Sequence, residues 1–157
     1  MIVISVNAQA GVYCDSHDPT IYGTPGNDVI TGTMARDVIV GLAGNDVITG
    51  AQEIDVICGG PGNDKVKAGQ GDDRVFGNQG DDRIEGGYGD DRVAGDEGND
   101  TLMGDWDSDF VYGLSGSDHM CGGGHVPGSR IQPGDQDVCN GGSPRPGDRE
   151  EYHDCSH

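Results

Sequence analysis

A period of nine residues, unbroken from Gly23 to Cys121, constrains this chain more than any other feature of it. The eleven units are GTPGNDVIT, GTMARDVIV, GLAGNDVIT, GAQEIDVIC, GGPGNDKVK, AGQGDDRVF, GNQGDDRIE, GGYGDDRVA, GDEGNDTLM, GDWDSDFVY and GLSGSDHMC. The sixth place is always Asp: Asp28, Asp37, Asp46, Asp55, Asp64, Asp73, Asp82, Asp91, Asp100, Asp109 and Asp118. The eighth is always aliphatic or Met: Ile30, Ile39, Ile48, Ile57, Val66, Val75, Ile84, Val93, Leu102, Val111 and Met120. The first place is Gly except at Ala68, and the fourth is Gly except at Ala35, Glu53 and Asp107.

This pattern has a direct physical reading. Places seven to nine are expected to form a three-residue strand whose middle side chain points inward while its neighbours point outward. Places one to six are expected to turn, with Gly admitting positive φ and close backbone approach. One unit cannot bury its single apolar residue, but stacked units bury a continuous column, with strands pairing in parallel between coils. The class is therefore all-β, a solenoid. An acidic low-complexity linker would not hold an aliphatic residue in phase for eleven cycles.

Composition sharpens the problem. Gly supplies 30 of 157 residues, and 28 acidic residues against 9 basic ones leave a formal charge of -19. Only 32% of the chain is hydrophobic. Such a chain ordinarily stays disordered, because it cannot offset conformational entropy and self-repulsion. Either it remains unfolded or something cationic folds it. The acidity excludes nucleic acid as a partner, since phosphates call for Lys and Arg. No run approaches the roughly 20 apolar residues of a membrane span.

The units resemble the RTX (hemolysin-type) repeat, G-G-x-G-x-D-x-U-x. That resemblance covers 99 of the 157 residues. It implies a right-handed parallel β-roll in which two units make one coil, so alternate units stack on the same side. It also implies Ca²⁺ between the turns of units n and n+2, held by sixth-place carboxylates and turn carbonyls. A hard cation wanting six to eight oxygens suits such a donor set. On the odd-numbered side every turn keeps its fourth-place Gly, which implies carboxylate ligands from Asp28, Asp46, Asp64, Asp82, Asp100 and Asp118. The matching backbone carbonyls are those of Gly26, Gly44, Gly62, Gly80 and Gly98. On the even side only the turns holding Gly71 with Asp73 and Gly89 with Asp91 are standard. Asp37, Asp55 and Asp109 are doubtful ligands, because Ala35, Arg36, Glu53, Ile54 and Asp107 depart from the motif; Glu53 or Asp107 would add a carboxylate to a neighbouring pair. The expected complement is about six Ca²⁺ ions or more.

Outward positions alternate too. Lys65, Arg74, Arg83 and Arg92 hold the seventh place of four successive units, read as solvated charge that discourages edge pairing. Val40, Cys58, Phe76, Ala94 and Tyr112 make an apolar column, expected to be covered by a terminal segment or else to serve as a partner surface. The aromatics of units 86–112 (Tyr88, Trp106, Phe110 and Tyr112) are candidate contacts for a glycan or protein partner. Self-association is a further expectation.

Solenoids need caps. Residues 1–22 are read as the N-terminal cap, 23–121 as the calcium-binding roll and 122–157 as an irregular, Cys- and Pro-rich C-terminal cap. The start, MIVISVNAQA, reads equally as the tail of a secretory signal ending at Ala8-Gln9-Ala10 or as a capping strand. In the tail, Asp137-Val138-Cys139-Asn140-Gly141-Gly142 still echoes the repeat. Five cysteines point to an oxidising, extracellular setting, with expected bridges Cys14–Cys58 and Cys139–Cys155 and Cys121 left odd. A zinc site built from Cys121, Cys139 and Cys155 with His119, His125, His153 and His157 is the lesser alternative, because the spacings match no zinc module.

Nothing suggests an enzyme. HExxH and GxSxG are both absent, and the 58 residues outside the array are too few for an ordinary catalytic domain. The expected role is an extracellular calcium-binding structural or binding module. The alternatives are an accessory module engaging carbohydrate or lipid and, behind it, an ice-binding solenoid. The last would want a long outward Thr ladder, whereas Thr31 and Thr49 give way to Lys67 and Glu85.

Overall fold

The computed structural model describes residues 14–121 and the backbones of two later strands, at 138–140 and 151–152. In chain order the strands are β1 (Ile21–Tyr22), β2 (Val29–Thr31), β3 (Val38–Val40), β4 (Val47–Gln52), β5 (Val56–Pro61), β6 (Lys65–Gln70) and β7 (Arg74–Gln79). They continue as β8 (Arg83–Tyr88), β9 (Arg92–Glu97), β10 (Thr101–Trp106), β11 (Phe110–Ser115), β12 (His119–Cys121), β13 (Val138–Asn140) and β14 (Glu151–Tyr152). The described residues contain no helix, hence none long and apolar enough to cross a membrane.

Odd-numbered strands form one seven-stranded parallel sheet and even-numbered strands the other. From β1 to β12 each strand pairs with the one two units away, so Ile30 lies opposite Ile48 and Leu102 opposite Met120. This is a β-solenoid of two units per coil, as the repeat implies. Its core is the eighth-place column: Ile30 through Met120 are at most 1% exposed, with Ala68 beside them.

Three details depart from expectation. The first is strand length. Places seven to nine are strand, but β4 to β11 are six residues long and run on through places one to three of the next unit. In β4–β6 the pairing skips the first place and resumes at Ala51↔Gly69 and Gln52↔Gln70. The backbone bends there because the second place is left-handed in every unit from the third on: Leu42, Ala51, Gly60, Gly69, Asn78, Gly87, Asp96, Asp105 and Leu114 all have φ between 76° and 126°.

The second detail is the starting point of the array. Thr20-Ile21-Tyr22 already occupies places seven to nine of a preceding unit, with Ile21↔Ile39 in register and Ile21 packed on the core. Pro19 stands where the sixth-place Asp would be, which hid this unit from a motif reading. The Asp137–Gly142 echo also has a structural counterpart, since Val138–Asn140 pairs with Phe110–Tyr112.

The third detail is the role of the first-place Gly. No positive φ is needed there; space is. A Cβ at Gly86 would lie 2.5 Å from Asp91 Oδ2 and 2.7 Å from the Gly104 carbonyl. The Asp side chain folds back over its own unit's first glycine, and the next coil closes from the other side.

Candidate metal centres

Two rows of turns carry the sixth-place aspartates, one row at the start of each sheet's strands. Each carboxylate reaches toward the coil before it. Asp46 Oδ1 accepts the N–H of Asp28 at 2.8 Å, and Asp64 Oδ1 that of Asp46 at 2.7 Å. Asp82 and Asp100 continue that row, and Asp118 Oδ1 accepts from Asp100. The other row is built identically: Asp55, Asp73, Asp91 and Asp109 accept from Asp37, Asp55, Asp73 and Asp91. A second ladder runs the opposite way at the fifth place, where Asn45 N–H donates to Asn27 Oδ1 and Asn63 N–H to Asn45 Oδ1.

One oxygen of each carboxylate is thereby used; the other is the anomaly. Oδ2 of Asp46, Asp55, Asp64, Asp73, Asp82, Asp91 and Asp100 is buried with no hydrogen-bond partner, and none of these residues is more than 2% exposed. A buried carboxylate oxygen left unsatisfied costs several kcal/mol unless the group is neutralised or finds a cation. Their acidities report the same stress. Burial pushes Asp55 and Asp64 up to about 6, Asp73, Asp82 and Asp100 to about 7, and Asp91 to about 8. The inter-coil N–H bond pulls the other way, and neighbouring carboxylates of the same row push up further.

The fourth place adds backbone oxygens. Gly44, Gly62, Gly71, Gly80, Gly89 and Gly98 are left-handed, and a Cβ at Gly80 or Gly89 would meet the carbonyl of Gly62 or Gly71 in the coil before. Turn carbonyls therefore face the gap between coils. Glu53 and Asp107 also take positive φ, at 68° and 77°, despite their side chains. Asp107 Oδ2 accepts the Gly89 N–H at 3.2 Å, which engages its carboxylate inside the ladder.

The first two turns are built differently. Asp28 Oδ2 accepts from the N–H and the hydroxyl of Thr24, at 2.6 and 2.9 Å. Asp37 Oδ2 accepts the same pair from Thr33, and its Oδ1 takes the Thr20 hydroxyl at 3.1 Å. Gly26 and Ala35 do not adopt positive φ. The sequence divides an intact odd row from a broken even row; in the geometry the turns of Asp28 and Asp37 stand apart from those of Asp46 to Asp100 in both rows. The discriminating residue is at the second place, which is Gly in the consensus repeat and varies along this chain. Its only signal in the sequence is that the first two units carry Thr there.

The donors are hard oxygens. Among the described residues no three His, Cys, Asp or Glu converge as a metal cluster, so each centre would combine carboxylate with backbone carbonyl oxygen, a set that suits calcium rather than zinc. The zinc alternative also loses a ligand: Cys121 is disulfide-bonded. That corrects the expectation that Cys121 is the odd cysteine. His125, Cys139, His153, Cys155 and His157 have side chains outside the described residues, as does the expected Cys139–Cys155 bridge.

The outer faces are engaged by the chain itself. Cys14 is bonded to Cys58, with Cα atoms 5.8 Å apart, and packs with Val38, Val40 and Val56 in a small second core. The N-terminal segment thus covers the upper part of the apolar column, while Phe76 and Tyr112 remain half-buried. Arg74 pairs with Asp15, and Lys67 and Arg83 with Glu85, which they hold below the usual carboxylate range. Tyr88 and Trp106 stack on each other at 5.2 Å, and Arg92 lies 5.7 Å over the Phe110 ring.

Comparison with known proteins agrees with this geometry. No curated protein matches the chain. The family model described as the RTX calcium-binding nonapeptide repeat matches in four copies, at residues 22–57, 31–66, 49–84 and 85–120. Together these span most of the solenoid, and the chain belongs to the RTX calcium-binding nonapeptide repeat family.

Proposed function

We propose that this protein is an extracellular structural module whose folding is driven by calcium, with 23–121 as the working array and 1–22 and 122–157 as its caps. The observation that carries the reading is the row of buried carboxylate oxygens without partners. A protein that bound nothing there would meet a desolvation cost at every coil. The aliphatic column is one side chain thick and cannot offset that cost together with the entropy of thirty glycines. A divalent cation removes the repulsion within each row and supplies bonds that exist only in the folded roll. At free calcium 100 times the dissociation constant, each site would contribute about 2.7 kcal/mol. A handful of such sites matches the roughly 5–15 kcal/mol stability of an ordinary domain.

The Cys14–Cys58 bridge supports an oxidising compartment. Outside a cell, near-millimolar calcium would keep the roll folded; inside, the chain would stay open. The role is structural rather than catalytic. A glycan platform finds less support, because Tyr88 and Trp106 spend a face each on one another.

Far-UV circular dichroism during a calcium titration after EDTA tests the reading. Loss of the β-spectrum in EDTA and its cooperative return with calcium are expected. A spectrum that persists in EDTA would overturn it.

A further inference from the structure

We infer that Thr24 and Thr33 terminate the two cation rows: the first-coil carboxylates of Asp28 and Asp37 take no ion, whereas the even row is as competent as the odd one from Asp55 on. The inference rests on the calcium reading and goes beyond it, by assigning which aspartates of this chain are ligands.

The argument starts from a backbone preference. A β-branched residue is a genuine outlier at positive φ. Every second-place residue from Leu42 to Leu114 is left-handed; Thr24 and Thr33 are not. With the second place in ordinary φ space, its N–H turns onto the sixth-place carboxylate of its own unit. The Thr hydroxyl adds a second donor to the same oxygen. That oxygen, Oδ2, is the one left orphaned in the turns of Asp46, Asp55, Asp64, Asp73, Asp82, Asp91 and Asp100. Two neutral donors thus occupy in the first coil what a cation would neutralise in the others. The neighbouring coil also matters. Asp46 and Asp55 reach toward a complete turn before them, whereas Asp37 reaches toward Thr20, behind Pro19, which has no N–H to give.

The even row passes the same test in reverse. Asp55 follows Glu53 and Ile54, which break the motif, yet it is fully buried, accepts the Asp37 N–H at 2.8 Å and keeps an unpartnered Oδ2. Motif quality at the fourth and fifth places does not set competence; the state of the carboxylate oxygen does.

Native mass spectrometry of the calcium-loaded full chain counts the ions. Asp→Asn preserves the ladder acceptor but replaces the other oxygen with an NH₂ group, which cannot bind a cation. D55N and D64N should each lose at least one ion relative to wild type, while D28N and D37N keep the full count. An ion lost in D28N or D37N, or a full count in D55N, would overturn the inference. Should D55N fail to fold in saturating calcium by circular dichroism, Asp73→Asn in the same row is the substitute, since Asp73 Oδ1 accepts the Asp55 N–H at 2.8 Å and its Oδ2 is likewise unpartnered; the same loss of an ion is expected, and a full count again overturns the assignment. A wild-type chain that carries no calcium at all would instead defeat the calcium reading itself, a distinct outcome.

Discussion

The turns at 23–28 and 32–37 and the turns from 41 onward share their invariant Asp and their aliphatic column, yet they solve the buried carboxylate in two ways. In the first coil the chain satisfies Asp28 and Asp37 internally, with amide and hydroxyl donors from Thr24 and Thr33. In the turns from Asp46 to Asp100 the same oxygen is enclosed and left without a donor. The difference teaches that repeat identity at the sixth and eighth places dictates the coil, while a variable place decides whether a coil is self-sufficient. A terminal coil with no complete coil before it gains from closing its own carboxylates. An interior coil gains from leaving them for a shared cation.

The largest expected effect tests what the two regions have in common. Val75→Asp puts an unpaired charge in the middle of the aliphatic column and should cost on the order of 5 kcal/mol, enough to abolish the roll even in saturating calcium. Ile21→Asp, at the half-buried end of that column, should leave most of the β-spectrum intact. Equal losses in the two variants would mean that the column is not the continuous core described.

Acid separates the later turns from an ordinary domain. Asp55, Asp64, Asp73, Asp82, Asp91 and Asp100 have folded values of about 6 to 8, against an ordinary 3.8. A raised value means that the folded state binds protons more tightly than the unfolded one. The calcium-free roll therefore has its full share of stability below about pH 4 and loses it as pH rises through about 6 to 8. Lowering the pH from 8 to 5 should recruit β-structure in EDTA, because protons replace the cation. With calcium present the sign reverses, since protons compete for the same oxygens. Thermal melts at both pH values, with and without calcium, check this. A calcium-free chain with less β-structure at pH 5 than at pH 8 would contradict the assignment of the buried carboxylates.

The smallest effect is local. Gly80→Ala forces a side chain onto φ 121° and against the Gly62 carbonyl, and should destabilise the calcium-loaded roll by about 1–3 kcal/mol. Gly26→Ala meets nothing closer than 3.9 Å at an ordinary φ and should stay within about 0.5 kcal/mol of wild type. Chemical denaturation in excess calcium measures both. Similar costs at the two glycines would erase the distinction between the first coil and the rest.

Several elements were legible without coordinates. The strand phase and the inward column follow from a strict period, because parallel stacking forces every copy of a place into the same environment, while two units per coil is what the resemblance to the RTX repeat implies. The Cys14–Cys58 bridge was anticipated and is present. Other elements were not legible. Ile21 sits in register behind a Pro that breaks the motif, and only strand pairing reveals it. The six-residue strands contain left-handed second-place residues such as Ala51 and Leu114, whose types do not announce positive φ. No local pattern marks Cys121 as a bonded cysteine.

By itself, the nine-residue period determined that this chain stacks into a thin parallel solenoid with rows of aspartates along its turns. Tertiary structure alone decided which oxygens of those aspartates are satisfied. Whether Oδ2 meets a Thr hydroxyl or is enclosed without a donor depends on the φ of a residue four positions upstream and on the coil packed before it. Neither is a property of the Asp itself.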